Sequence, residues 1–190
     1  MVRQVKVSPD SSLVVCVFGS SLVAEGSLPY EEARRVGCLL ARAGYRVCSG
    51  GYGGTMEAVS RGAKEAGGST IGVTTDWFSE LQANRWIDQE IRTGRYQDRL
   101  NKLIETGAAY LAVHGGVGTL TEISLVWSLL QTHSLEQRPF VLLSHPWQGL
   151  LTLARESFIT RPGDLAIPQL ADTPEDAVRL IDTGLRGDRR

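Results

Sequence analysis

Leu111-Ala-Val-His-Gly-Gly-Val-Gly-Thr-Leu-Thr-Glu122 passes from an apolar run through glycines into a second apolar stretch. Tyr110 to Val113 reads as a buried strand, Gly115, Gly116 and Gly118 as a turn, and 119–132 as a helix. Strand, glycine turn and helix together aim free backbone N–H groups and a positive helix end at an anion. Glycine lets the backbone bend and lets a phosphate come close. The same letters carry a second reading, because Thr119-x-x-Glu122 fits a capping box, which needs no ligand.

Working outward, the unit repeats. Leu13 to Phe18 (LVVCVF) is a continuous apolar run that ends in Gly19-Ser20-Ser21, and Pro29 opens a helix that Gly44 stops. Tyr45 to Cys48 is a short strand running into Ser49-Gly50-Gly51-Tyr52-Gly53-Gly54-Thr55-Met56-Glu57, with a helix behind it to Ala66. Thr70 to Val73 is a third strand, and 76–95 has no clean period and is expected to be irregular with one short helix. A helix over 96–105 leads into the organising strand. After the glycine turn come a strand over 140–143, a helix over 147–158, a short strand within 165–170 and a helix over 174–181.

Apolar runs alternating with helices predict an α/β fold, a Rossmann-like doubly wound parallel sheet flanked by helices. The domain spans 13–183, with a polar tail over 1–12 and another over 184–190. Crossovers in such sheets are right-handed, so the three glycine turns share the carboxyl edge, where ligands bind. Leu120, Ile123, Leu125, Val126, Trp127, Leu129 and Leu130 cover more than one face of their helix, which predicts burial against the sheet and against a second subunit.

The chain has 190 residues, 42% hydrophobic and 22% charged, with a net charge of −1. That is an ordinary globular composition, with no basic footprint for nucleic acid or an anionic membrane. No signal peptide or bilayer-spanning run is present, so a cytoplasmic protein is expected. Cys16, Cys38 and Cys48 have no metal-type spacing and are expected to be reduced core thiols. No metal or cofactor is expected.

A dinucleotide is disfavoured. Gly19-Ser20-Ser21-Leu22 fails the G-x-G-x-x-G pattern, the later turns lack its third glycine, and the second strand ends in Cys48-Ser49 rather than in an acid for a ribose hydroxyl. Three small-residue turns on one edge suit a mononucleotide. Arg99 joins them by arithmetic. Its helix descends roughly 12 Å to Gly107, and the strand climbs back roughly 16 Å to His114, returning Arg99 to reach of the turn.

His114-Gly-Gly-Val-Gly-Thr-Leu-Thr-Glu122 resembles the Pro-Gly-Gly-x-Gly-Thr-x-x-Glu motif of the LONELY GUY family, long mislabelled as lysine decarboxylases. Gly19-Ser20-Ser21, the turn Ser49–Glu57 and Arg99 with its spacing extend the resemblance over about 13–183. It implies a Rossmann-like homodimer that hydrolyses the N-glycosidic bond of nucleoside 5′-monophosphates, AMP or cytokinin ribotides. The products are the free base and ribose 5-phosphate. Arg99 and Glu122 take the catalytic positions, with Glu122 stabilising the ribose cation. Gly115, Gly116, Gly118 and Thr119 would hold the phosphate, and Ser20, Ser21 and Glu57 the sugar or base. Gly19, Gly50, Gly51, Gly54, Met56, His114 and Val117 complete the implied substrate contacts. The chain departs from the family at His114 for the motif proline, and at Tyr96 and Leu100 for the Met and Lys flanking the arginine. Related molybdenum-cofactor carriers keep the glycine motif and only bind, so a non-catalytic nucleotide or cofactor carrier is the alternative. Decarboxylation with pyridoxal phosphate lacks a placed Schiff-base lysine, the only lysines being Lys6, Lys64 and Lys102.

Overall fold

Strands buried on both faces need no alternation, and the apolar runs do line up side by side. The computed structural model describes residues 13–78, 80–161 and 163–187. In chain order the elements are β1 (Val14–Phe18), α1 (Leu28–Arg42), β2 (Arg46–Ser49), α2 (Thr55–Glu65), β3 (Thr70–Thr75), β4 (Gln89–Thr93), α3 (Tyr96–Thr106), β5 (Ala109–Ala112), α4 (Val117–Gln131), β6 (Phe140–Leu143), α5 (Ser144–Ser157), β7 (Gln169–Ala171) and α6 (Pro174–Gly187). The seven strands form one sheet in the order β4-β3-β2-β1-β5-β6-β7, parallel throughout. This is the doubly wound sheet that the sequence predicts. Strand order reverses between β1 and β5, where Val15 pairs with Ala109 and Phe18 with Ala112.

Alternate residues of each central strand feed two cores. Val15, Val17, Val47, Leu111 and Val141 pack with α1, α2 and α6 through residues such as Val36, Val59 and Ile181. Cys16, Phe18, Cys48, Tyr110 and Leu142 face Leu103 of α3, Ile123 and Val126 of α4 and Trp147 of α5. The three cysteines are free thiols, and Cys38 is only partly buried, unlike Cys16 and Cys48.

Four local readings change. Residues 89–93, expected to be irregular, are β4. It is an edge strand paired on one side only, so Gln89, Glu90 and Arg92 face solvent and leave no apolar run to read. Helix α4 starts at Val117, with Gly116 as its N-cap. Glu122 therefore lies in the second turn and Thr119 inside the first, so the capping-box reading fails. Helix α5 follows β6 without a loop, Pro146 falling in its first turn. Helix α6 continues to Gly187, because Gly184 is a packing contact and not a stop: a Cβ there would lie 2.5 Å from Cγ of Pro139. The tail expected over 184–190 is thus helical as far as Gly187, and the tail expected over 1–12 lies outside the described residues. Among the described residues no helix is long and apolar enough to cross a membrane.

Candidate active site

The turns after β1, β2 and β5 meet at the carboxyl edge and are stitched by their own backbones. Ser20 N donates to His114 O at 3.3 Å, and Thr55 N donates to Ser20 O at 2.9 Å. The Thr55 hydroxyl lies 3.3 Å from both Ser20 O and His114 O. Above this seam opens a cleft of about 340 Å³. It is lined by Gly19–Leu22, Tyr52, Met56, Phe78, Leu81, Tyr96, Arg99, Gly116–Thr119 and Glu122. A larger hollow, about 430 Å³, lies at the opposite edge near Arg138 and Gly184. Nη1 of Arg138 there donates to Ile104 O, Gly107 O and the Tyr110 hydroxyl.

Arg99 and Glu122 form the cleft floor, 5% and 7% exposed. Arg99 is clamped before any ligand arrives: Nε donates to Val73 O at 2.8 Å, and Nη2 to Gly50 O at 3.3 Å. Its Cζ sits 5.6 Å from the Tyr52 ring centroid. Nη1 approaches Glu122 Oε1 at 3.7 Å, too long for a hydrogen bond. Burial pushes the Glu122 carboxyl up to about 7, and the opposing pull of Arg99 does not cancel it. A carboxyl poised there can hold or release a proton near neutral pH.

At the mouth, the first amides of α4 have no acceptor in their own helix, and the residues that carry them, Val117, Gly118 and Thr119, line the cleft. Thr119 is 2% exposed, and its hydroxyl finds no partner. An unpaired buried hydroxyl beside a positive helix end is a place where an acceptor-rich anion gains hydrogen bonds.

The other expected site residues divide. Gly19, Ser20, Ser21, Met56, Gly116, Val117, Gly118 and Thr119 line the cleft with Arg99 and Glu122. Gly50, Gly51, Gly54, Glu57, His114 and Gly115 do not. Gly50 supplies the carbonyl that holds Arg99, and Glu57 is half-buried on α2. The His114 ring turns away, with Nδ1 3.3 Å from Glu32 Oε2 in α1 and its centroid 5.7 Å from that of His145. Burial holds the His114 pKa below the usual histidine value. Leu22, Tyr52, Phe78, Leu81 and Tyr96 line the cleft unforeseen. For Phe78 a signal existed: it falls three residues past β3, hence at the ligand edge. Among the described residues no cluster of three His, Cys, Asp or Glu is arranged for a metal.

The chain matches the SLOG cluster4 family over residues 12–146. It is 31% identical to a cytokinin riboside 5'-monophosphate phosphoribohydrolase of Mycobacterium tuberculosis, over 77% of each protein. An uncharacterised protein of Archaeoglobus fulgidus is 34% identical over half of this chain, a match spanning 62% of that protein. Among solved structures, the molybdenum cofactor binding protein from Rippkaea orientalis superposes with a TM-score of 0.73 at 25% identity, covering 90% of this chain and 96% of that one.

Proposed function

The chain belongs to the SLOG cluster4 family, among the LONELY GUY-type proteins that its motif resembles, and we propose that it hydrolyses the N-glycosidic bond of nucleoside 5′-monophosphates of the AMP or cytokinin-ribotide type. The observation that carries this is the buried Arg99–Glu122 floor beside the unpaired α4 amides and the orphan Thr119 hydroxyl. The 5′-phosphate sits at the α4 N-terminus, which places the ribose over Glu122. The C1′–N bond breaks with its electron pair leaving on the base, and positive charge builds on the ribose. The Glu122 carboxylate stabilises that charge and accepts a proton from the water that adds to C1′. The base takes up a proton from solvent as it leaves, Glu122 returns the proton it accepted to solvent, and ribose 5-phosphate remains. Arg99 keeps the carboxylate ionised enough to act, its own position fixed by Val73 O and Gly50 O.

The expected result is release of adenine from AMP but not from adenosine, read by chromatography, because the phosphate anchors the substrate over Glu122. Equal release from both overturns the phosphate role. The likeness to a molybdenum cofactor binding protein over 90% of the chain favours a second reading, a carrier without turnover. Tight nucleotide binding with no base released from any monophosphate selects it.

The same reading includes a homodimer. Beyond its core-facing residues, α4 carries Leu120 and Trp127 into a groove with Leu150, Leu153 and Phe158, the last two 50% exposed. A concentration-independent monomer mass by sedimentation overturns it.

A further inference from the structure

The cleft has two chemically unlike ends. Over the β1/β5 gap it offers backbone amides and the serines of the β1 turn. Over β2 and β3, two strand spacings or roughly 10 Å away, it offers rings. Tyr52 comes from the β2–α2 turn, Phe78 from the segment after β3, and Tyr96 opens α3. The Tyr52 and Phe78 centroids are 5.9 Å apart at 72°, and those of Phe78 and Tyr96 are 6.0 Å apart at 62°, both edge-to-face. None of the three belongs to either core cluster; Tyr52 is buried against β3 and Arg99, while Phe78 and Tyr96 are only half-buried. Tyr52 is locked: its hydroxyl accepts from Thr75 N at 2.9 Å and reaches Thr75 O at 3.3 Å.

Apart from the Tyr96 hydroxyl, side chains that read the edge of a base are missing from this end. The Asn84 amide nearby is spent on Gly51 O and Tyr52 O. Among the described lining residues there is no Asn, Gln or Asp, and the one carboxyl is Glu122 on the floor. Faces without edge readers discriminate by area. Stacking is blind to the exocyclic groups, and apolar pockets reject near-isosteres weakly.

Resting on the hydrolase reading above, we propose that the Tyr52–Phe78–Tyr96 wall is the leaving-base subsite, selecting purine over pyrimidine nucleotides by ring area while barely distinguishing adenine from guanine. Phe78 and Tyr96 are the specificity-determining residues, and Tyr52 positions them.

Calorimetric titration with AMP, GMP, CMP and ribose 5-phosphate tests this on the wild type and on Phe78→Leu, Tyr96→Met and Tyr96→Phe. AMP and GMP are expected to bind within about fivefold of each other, and CMP about tenfold or more weaker. Phe78→Leu and Tyr96→Met keep apolar bulk but lose the ring. Each is expected to weaken AMP about tenfold and leave ribose 5-phosphate unchanged, while Tyr96→Phe restores AMP. Equal affinity for AMP and CMP, strong rejection of GMP, or equal weakening of AMP and ribose 5-phosphate in folded variants overturns the subsite. If a melt shows a variant unfolded, the wild-type ranking of the bases decides. Purine-selective binding without base release overturns hydrolysis alone, base release without purine preference overturns the subsite alone, and no nucleotide binding overturns both.

Discussion

Ser49–Thr55 and His114–Thr119 are both glycine-rich strand-to-helix turns at one sheet edge, yet an added methyl group meets different things in each. In the first, a Cβ on Gly50 would lie 1.9 Å from Arg99 Nη2 and 2.6 Å from Met56 Sδ. A Cβ on Gly54 would lie 2.2 Å from Ser20 O, and Gly54 also holds a φ of +63° that side chains resist. These glycines are demanded by the protein's own atoms. In the second turn only Gly115 is crowded, by Thr119 Oγ1 at 2.1 Å. Gly116 and Gly118 have nothing within 4 Å of an added Cβ. Packing does not demand glycine at these two positions, which line the cleft beside the start of α4. One turn builds the floor of the cleft, and the other leaves room above it.

The largest effect falls beside the open turn. Glu122→Gln is expected to cut AMP turnover roughly 100- to 1,000-fold, the scale of losing one electrostatic group at a developing charge. The fold should be kept, because Glu122 caps nothing. Near-normal turnover in steady-state assays removes Glu122 from the chemistry and leaves the contrast between the turns purely structural.

Next comes pH. The folded Glu122 holds its proton up to about 7, above its ordinary 4.5. Its contribution to stability is therefore fully present below about 4.5 and lost as pH rises through about 7. The loss is on the order of 3 kcal/mol relative to Glu122→Gln, which has no such titration. His114, with a depressed pKa, titrates in the opposite sense, and subtracting the variant's denaturation curves removes it. A difference that is flat from pH 4.5 to 7 refutes the buried carboxyl.

Then the turns themselves. Gly50→Ala forces Arg99 or Met56 to move, and overpacking of that kind costs about 1–3 kcal/mol. The melting temperature should fall by roughly 3–10 °C, and turnover with it as Arg99 leaves Glu122. Gly116→Ala is the smallest change. It should melt like the wild type and bind ribose 5-phosphate about tenfold more weakly, the value of one charge-assisted contact. If Gly116→Ala destabilises and Gly50→Ala does not, the contrast is reversed.

Much of this was legible along the chain, for local reasons. Runs such as Leu13–Phe18 and Tyr110–Val113 need burial on both faces, and glycine turns after them leave parallel strands as the economical arrangement. Counting rises along α3 and β5 brought Arg99 back to the turn, and the two side chains do meet at 3.7 Å. Edge strand β4 stayed hidden because an exposed strand has no apolar signature. Tertiary structure decided the rest. The clamp on Arg99 uses carbonyls 26 and 49 residues away. The ionisation of Glu122 depends on desolvation by elements that are not its neighbours in sequence. The His114 ring could face the cleft or α1 until Glu32 stood beside it, and the three rings over β2 and β3 form a wall only because that edge gathers three separate connections. Periodicity records which face a residue shows; burial, charge and the direction of a ring are set by what the rest of the chain brings to meet it.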